Sequence, residues 1–324
     1  MADEKMWNGK KVLITGINGF IGVNLAKRLS QLGARVEGTS HHVNDLRYLR
    51  AAGLEKAFTV HSIDLREEKP IAELVMSGNF DTIFHLASQS DTWKSIHEPR
   101  ETFMTNMVGT LNLLEAVRKQ TKRSSVVLAG TVRAFYDTNA TDAGIGLHPY
   151  DASKMGMESI ATSYFHAYHI PGAVAKNTNV FGENDLNFAR LIPLIMKQAL
   201  SSNEIRLKGN GMLRRDFMYV GDAVDALLTL ALNVNHSDVR GKAFTFATGK
   251  LFSICEVCAQ IQHVLGGKLS IVFDESESLV ERNQPTLDLS RATTILEWKS
   301  RVSLNEGLSR TIEWYQNYFA GEKK

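Results

Sequence analysis

The sequence predicts an α/β protein built on a doubly wound parallel sheet, and three observations carry that expectation. Short apolar runs alternate with helical stretches through the first half of the chain. The first run, Val12-Leu13-Ile14, leads straight into TGINGFIG, with glycines at 16, 19 and 22. After about residue 180 the alternation gives way to an irregular mixture of short strands and helices, as in a smaller second domain interleaved with the first.

Taken in order, Lys11–Thr15 reads as a buried strand. Phe20–Leu32 is helical, with apolar Ile21, Leu25 and Leu29 on one face and Gly33 as its stop. Arg35–Thr39, Ala57–Ser62, Asp81–Leu86 and Ser125–Ala129 are further strands, separated by helices at Asn44–Ala52, Pro70–Ser77 and Pro99–Lys119. The helix Ala152–Tyr168 leads to a sixth strand, Gly172–Ala175. Right-handed βαβ units follow from this spacing. Beyond them come the strands Ile205–Leu207, Phe217–Val220, Ala243–Phe246 and Leu269–Val272, and the helices Leu191–Leu200, Asp222–Leu232 and Leu304–Tyr318. The expected division is a dinucleotide-binding Rossmann domain over 1–178, with a return at about 217–247, and a smaller, discontinuous C-terminal substrate domain over 179–324.

The bulk numbers fit a globular chain: 324 residues, 44% hydrophobic, 22% charged, net charge +2. No Lys/Arg block of nucleic-acid type is present, so anion binding has to be local. No apolar run reaches the roughly 18 residues of a membrane span, and MADEKMW lacks the apolar core of a secretory signal. A cytoplasmic protein with no nucleic-acid or membrane partner is the expectation. Cys255 and Cys258 are the only cysteines. They fall in a helix that Ser253 would cap, and two cysteines without clustered partners cannot complete a zinc site. No metal is expected.

A strand, three glycines and a helix start make an anion site. Gly16 permits the tight turn, Gly19 lets the backbone approach a pyrophosphate, and Gly22 allows close helix–strand packing, while the helix N-terminus supplies N–H groups. A carboxylate for the ribose hydroxyls is expected at the end of the second strand. The sequence has Gly38-Thr39-Ser40-His41-His42 there and no acid. Ser40, His41 or His42 can donate to a 2′-phosphate, so NADP is allowed but not demanded. Asp64-Leu65, after the third strand, would hold the adenine amino group, or Asp64 is a plain loop acid.

Tyr150 and Lys154, in Y-D-A-S-K, share one face of a helix start. An ammonium near a phenol favours phenolate and gives an acid/base for a carbinol proton. Thr131 follows the strand SSVVLAG, where its hydroxyl can reach the same substrate oxygen.

These residues resemble the extended short-chain dehydrogenase/reductase family, over nearly the whole chain. TGINGFIG matches its cofactor loop, which gives Gly16, Asn18, Gly19, Phe20, Ile21 and Gly22 as cofactor contacts. HLASQ is similar to its H-L-A-A element beside the cofactor and supplies Leu86 and Ala87. TFMTNMVGTLNLLEAVR resembles its asparagine-bearing helix and includes Asn106. HPYDASKMGME resembles its catalytic helix, with Tyr150 and Lys154 also at the cofactor. NVFGENDLNFARLIP, RRDFMYVGDAV, FTFATGK and the C-terminal segment resemble the nucleotide-sugar branch. Within it, HLASQSDTWKSIHEPRETFMTN and NVFGENDLNFARLIP are most similar to CDP-glucose 4,6-dehydratases. The resemblance implies a tightly held NAD(P), hydride removal from C4 of a nucleotide-diphosphate hexose, and a homodimer formed through the helices Pro99–Lys119 and Ala152–Tyr168. Met107, Leu111, Leu114, Ile160 and Tyr164 are apolar positions that allow this interface and would equally serve as core. The resemblance also places Asn179, Arg190, Arg215 and Arg282 at the substrate diphosphate, where arginine forks suit phosphate.

The sequence departs from the dehydratases directly after Thr131. Elimination of water needs a base for the C5 proton and an acid for the C6 hydroxyl. Val132 offers neither, and Arg133, with a side-chain pKa above about 12, is a poor acid or base. C4 epimerisation needs neither group. Arg133 binds a substrate carboxylate or phosphate, or turns away into an ion pair, or sits in a turn one residue longer than the family pattern. Asp91, in a loop expected over the sugar, would supply the missing acid, accept a sugar hydroxyl or be solvated; Trp93 would cover the sugar or pack. The leading expectation is an NAD(P)-dependent nucleotide-sugar epimerase or dehydratase-like oxidoreductase using Thr131, Tyr150 and Lys154. The alternatives are an NADPH-exchanging reductase or C4 dehydrogenase, and a non-catalytic NAD(P)-binding sensor.

Overall fold

The computed structural model describes residues 2–133, 148–202, 204–267, 269–276 and 283–322. Among these, the strands are β1 Lys11–Thr15, β2 Arg35–Ser40, β3 Thr59–Ser62, β4 Thr82–His85, β5 Ser125–Thr131, β6 Gly172–Asn177, β7 Asn179–Phe181, β8 Glu204–Lys208, β9 Arg214–Tyr219, β10 Ala243–Phe246, β11 Leu251–Ser253 and β12 Ser270–Asp274. The helices are α1 Ala2–Trp7, α2 Phe20–Gln31, α3 Arg47–Ala51, α4 Glu68–Gly78, α5 Thr92–His97, α6 Pro99–Phe103, α7 Gly109–Lys119, α8 Pro149–Ala167, α9 Leu191–Ser202, α10 Val220–Asn233, α11 Ile254–Leu265, α12 Ser290–Ile295 and α13 Leu304–Glu322, with a π turn at Met104–Val108 between α6 and α7.

Seven strands form one sheet in the order β10-β6-β5-β4-β1-β2-β3, and every pairing in it is parallel. The chain leaves β1 on one side as β2 and β3, then crosses to the other as β4, β5 and β6. That reversal opens a crevice at the carboxyl ends of β1 and β4. The doubly wound sheet expected from the alternation is present. Smaller sheets, β11-β9-β7 and β12-β8, come from the later chain.

Period-two alternation along β1 feeds two cores. Val12 and Ile14 join Leu25 and Leu29 of α2 and Leu227 and Leu230 of α10. Leu13 faces the other way, with Ile71 of α4, Leu113 and Val117 of α7, and Met157 and Phe165 of α8. All three β1 side chains are fully buried, which contributes about 1.5–3 kcal/mol apiece. A third core gathers Ile195 and Met196 of α9, Val257 and Ile261 of α11, and Leu308 and Ile312 of α13.

Element boundaries moved where side chains intervene. The helix expected over 44–52 contracts to α3, because Asn18 Oδ1 accepts the Tyr48 and Leu49 N–H groups and caps it from across the crevice. The long helix expected over 99–119 is split by the π turn, a device frequent at functional sites. The catalytic-type helix begins earlier, at Pro149, whose missing N–H suits a first helical position. The loop expected around Asp91 holds a helix, α5, because Asp91 accepts the Lys94 N–H at 3.0 Å as its N-cap. Leu114 lies inside the core and does not face outward, whereas Met107, Leu111, Ile160 and Tyr164 stay half-buried on α8, α7 and the π turn.

Candidate active site

The carboxyl ends of the parallel strands open into a cavity of about 1820 Å3. One wall is the glycine loop. Gly16 adopts φ +72°, and a Cβ there would stand 2.9 Å from the Ala87 backbone. A Cβ at Gly22 would meet the Gly16 carbonyl at 2.3 Å. These positions admit only glycine, and they draw the start of α2 tight against β1. Gly19 caps α2 with extended backbone and no side-chain partner, and the first turn carries no acid. The positive end of α2 is therefore offered to the cavity, which suits a diphosphate. Gly16, Asn18, Gly19, Phe20, Ile21 and Gly22 all line it.

Past the ends of β2 and β3 the cavity is bounded by Ser40, His41, Asp64 and Leu65. Asp64 is already engaged: Arg66 Nε stands 2.9 Å from both of its oxygens, and this bonding holds the carboxyl below its ordinary range against the effect of burial. His41 lies 3.8 Å from the same carboxylate and stacks on His42. Asn18 lines the cavity, but its side chain is committed to α3 and to the Asp45 carbonyl, at 2.7 Å.

Leu86 and Ala87 line the cavity after β4. Below them His85 is fully buried between Thr15 and Thr110 hydroxyls, at 2.8 and 2.9 Å. Burial, helped by the nearby Lys154 charge, drives its pKa down to about 3, so the imidazole is neutral. Asn106, placed by the π turn, is fully buried and does not reach the cavity wall. Its amide donates to the Gln89 carbonyl at 3.0 Å and to Ser153 Oγ at 2.8 Å, and its oxygen accepts the Gln89 N–H at 2.8 Å. It clasps the loop after β4 to α8.

Thr131, Tyr150 and Lys154 meet at the carboxyl end of β5 and all line the cavity. Thr131 Oγ1 accepts the Arg133 N–H at 3.2 Å. Burial pushes Tyr150 up to about 12, and the groups working against that are Arg190, Arg133 and Thr131. Lys154 donates to the Ala129 carbonyl at 2.7 Å, and burial pulls it down to about 8. Val132 is buried. Arg133 resolves into an ion pair, its Nε 3.3 Å from Asp151 Oδ1, while still lining the cavity.

On the far side Arg190 reaches over the Phe20 ring, held by both oxygens of buried Asp185 at 3.1 Å. Arg215 lines the cavity from β9. Asn179 donates to the Asp216 carbonyl and to Gln284 Oε1, at 3.0 and 3.1 Å. Asp91 is spent on capping α5 and does not reach the wall, and Trp93 is 68% exposed and stacks on His97, so it covers nothing. Arg282 lies outside the described residues. Sequence reasoning passed over Tyr48, Arg206, Lys208 and Asn283, which also line the cavity. The glycine-flanked turn Lys208-Gly209-Asn210-Gly211, with φ near +75° at both glycines, was the available signal.

A doubly wound sheet, a glycine-rich helix start at its switch point and a Thr–Tyr–Lys cluster beside it define a nucleotide-dependent oxidoreductase class. The model of the NAD dependent epimerase/dehydratase family matches residues 12–244, and the chain belongs to that family. It is 27% identical to UDP-glucuronate 4-epimerase of Thermodesulfobacterium geofontis, over 93% of this chain and 95% of that protein. It is 26% identical to CDP-glucose 4,6-dehydratase of Salmonella typhimurium, over 99% and 95%. It spans about half, 48%, of a trifunctional UDP-glucose 4,6-dehydratase/epimerase/reductase of Arabidopsis thaliana, at 26% identity. Its fold matches the UDP-glucose 4-epimerase of Thermotoga maritima with TM-score 0.84, at 23% identity, covering 95% of this chain and 99% of that one. Among the described residues no helix is long and apolar enough to cross a membrane.

Proposed function

We propose that the chain is an NAD(P)-dependent nucleotide-sugar oxidoreductase that works through a 4-keto hexose and epimerises at C4. The observation that carries this is the convergence of Thr131, Tyr150 and Lys154 on the cavity that the glycine loop opens into, with buried Val132 and an Asp151-paired Arg133 where elimination needs an acid and a base. Gly16–Gly22 would hold the cofactor diphosphate, and Ser40, His41, Asp64 and Leu65 would bound its adenosine. The cofactor supplies hydride acceptance and return. Tyr150 takes and gives back the hydroxyl proton, Thr131 orients the same oxygen, and Lys154 holds the cofactor ribose. Arg190, Arg215 and Asn179 face the substrate diphosphate. Met107, Leu111, Ile160 and Tyr164 form the contact of a cytoplasmic homodimer.

The lining at the ends of β2 and β3 supports a second reading in one respect. With Asp64 engaged by Arg66 and no acid at the end of β2, a 2′-phosphate meets little repulsion, so an NADPH-exchanging reductase remains the competitor. Denaturing the purified protein and identifying the released nucleotide separates the two. Stoichiometric NAD or NADP, with turnover of a nucleotide sugar in the absence of added cofactor and none in Tyr150→Phe, supports the epimerase. A protein that comes out empty and turns over only with added NADPH supports the reductase. Failure to bind any nicotinamide dinucleotide overturns both.

A further inference from the structure

Glu158 has no part in the chemistry above, yet it lies one turn beyond Lys154 on the same face of α8. Its side chain is 15% exposed, and Oε1 stands 3.6 Å from Lys176 Nζ on β6. Oε2 is buried and takes no hydrogen bond. An idle buried carboxylate oxygen is costly unless positive charge compensates it. The Lys154 ammonium is also short of partners: it is buried, and it has the Ala129 carbonyl at 2.7 Å and Met157 Sδ at 3.4 Å, neither of them charged.

We propose that Glu158 is a positioning residue that keeps Lys154 in its ammonium form through the working pH range, with Lys176 keeping Glu158 ionised in turn. This rests on the reading of Lys154 as a cofactor-facing group. The directions agree with the geometry. Burial pulls Lys154 down and Glu158 pushes it back up. Burial pushes Glu158 up, and Lys176 and Lys154 pull it down. The other titratable groups around this turn oppose or ignore the ammonium. His85 on β4 is neutral. Tyr150, one turn earlier on α8, is pushed up by burial and adds no negative charge beside the resting ammonium. Asp151 is paired with Arg133. β5 presents the Ala129 carbonyl, and β6 presents Lys176. Among the described residues, Glu158 supplies the negative charge.

The test is NAD affinity, read by fluorescence quenching from about pH 6 to about pH 10, with thermal stability recorded at each pH. In the intact protein affinity falls on the alkaline side as Lys154 loses its proton. Glu158→Gln, nearly isosteric, moves that midpoint down by about one pH unit, so affinity between the two midpoints drops about tenfold. Glu158→Asp keeps the charge and keeps the midpoint, and Lys176→Gln moves it down in the same direction as E158Q, because Glu158 loses the cation that keeps it ionised. If E158Q and K176Q lose thermal stability alike while the midpoint stays in place, the pair is only a brace and the proposal is overturned. A midpoint that falls equally in E158D overturns it too. If the intact protein binds no NAD at any pH, the reading of the cavity has failed, and the proposal with it.

Discussion

Arg190 is fixed by Asp185: one guanidinium nitrogen stands 3.1 Å from each oxygen of a carboxylate that is 1% exposed at its side chain. The Asp185 backbone carbonyl in turn accepts the Tyr315 hydroxyl of α13. The fixed Arg190 charge is one of those that work against the burial of the Tyr150 phenol.

Removing that cation raises the phenol further. Arg190→Met is expected to lower kcat/KM at neutral pH about tenfold and to move the limb that reports Tyr150 to higher pH. A pH–rate profile checks it. A profile that keeps its shape while KM alone rises would assign Arg190 to substrate binding only.

Gly16→Ala combines positive φ with a 2.9 Å approach to the Ala87 backbone. It should cost about 1–3 kcal/mol of stability and abolish cofactor retention. Thermal unfolding and the absorbance of the purified protein measure both.

Lys154 gives a pH dependence whose sign is fixed. Its pKa falls from 10.5 unfolded to about 8 folded, so the unfolded chain binds the extra proton between those values. Stability is then highest above about pH 10.5, falls as pH drops to about 8, and is flat below, a loss on the order of 3 kcal/mol. Lys154→Met should be inactive yet melt higher than the intact protein at pH 7, with the gap closing as pH rises past 10. Equal melting points at pH 7 would show that the burial penalty is already offset.

Arg133→Ala leaves the Asp151 carboxylate, only 8% exposed at its side chain, without its cation. We expect a loss of about 1–3 kcal/mol in urea unfolding, most of it recovered in Arg133→Ala/Asp151→Asn. Independent, additive effects would mean that the 3.3 Å pair is not coupled.

The sheet was legible because buried parallel strands leave continuous apolar runs, and β1 and β10 fall where Lys11–Thr15 and Ala243–Phe246 were read. The glycine loop was legible because two of its positions, Gly16 and Gly22, leave no room for a Cβ. What stayed hidden was partnership across the sequence. Nothing near Asn18 announces that it caps α3, some 30 residues on. Asp151 is adjacent to Tyr150, yet only folding brings it to Arg133. Asp91 shows the opposite failure: a local capping signal was present and was outweighed by a functional expectation.

The π turn at Met104–Val108 works as a phase shifter. A π turn holds one residue more than the α-turn it interrupts, so everything after it is rotated by about 100° relative to an unbroken helix. Leu113, Leu114 and Val117 face the sheet only because that offset has been inserted. Deleting one residue here would not merely misplace Asn106. It would turn the apolar stripe of α7 away from the sheet, so the clasp on Gln89 and Ser153 and the packing of a whole helix must be gained or lost together.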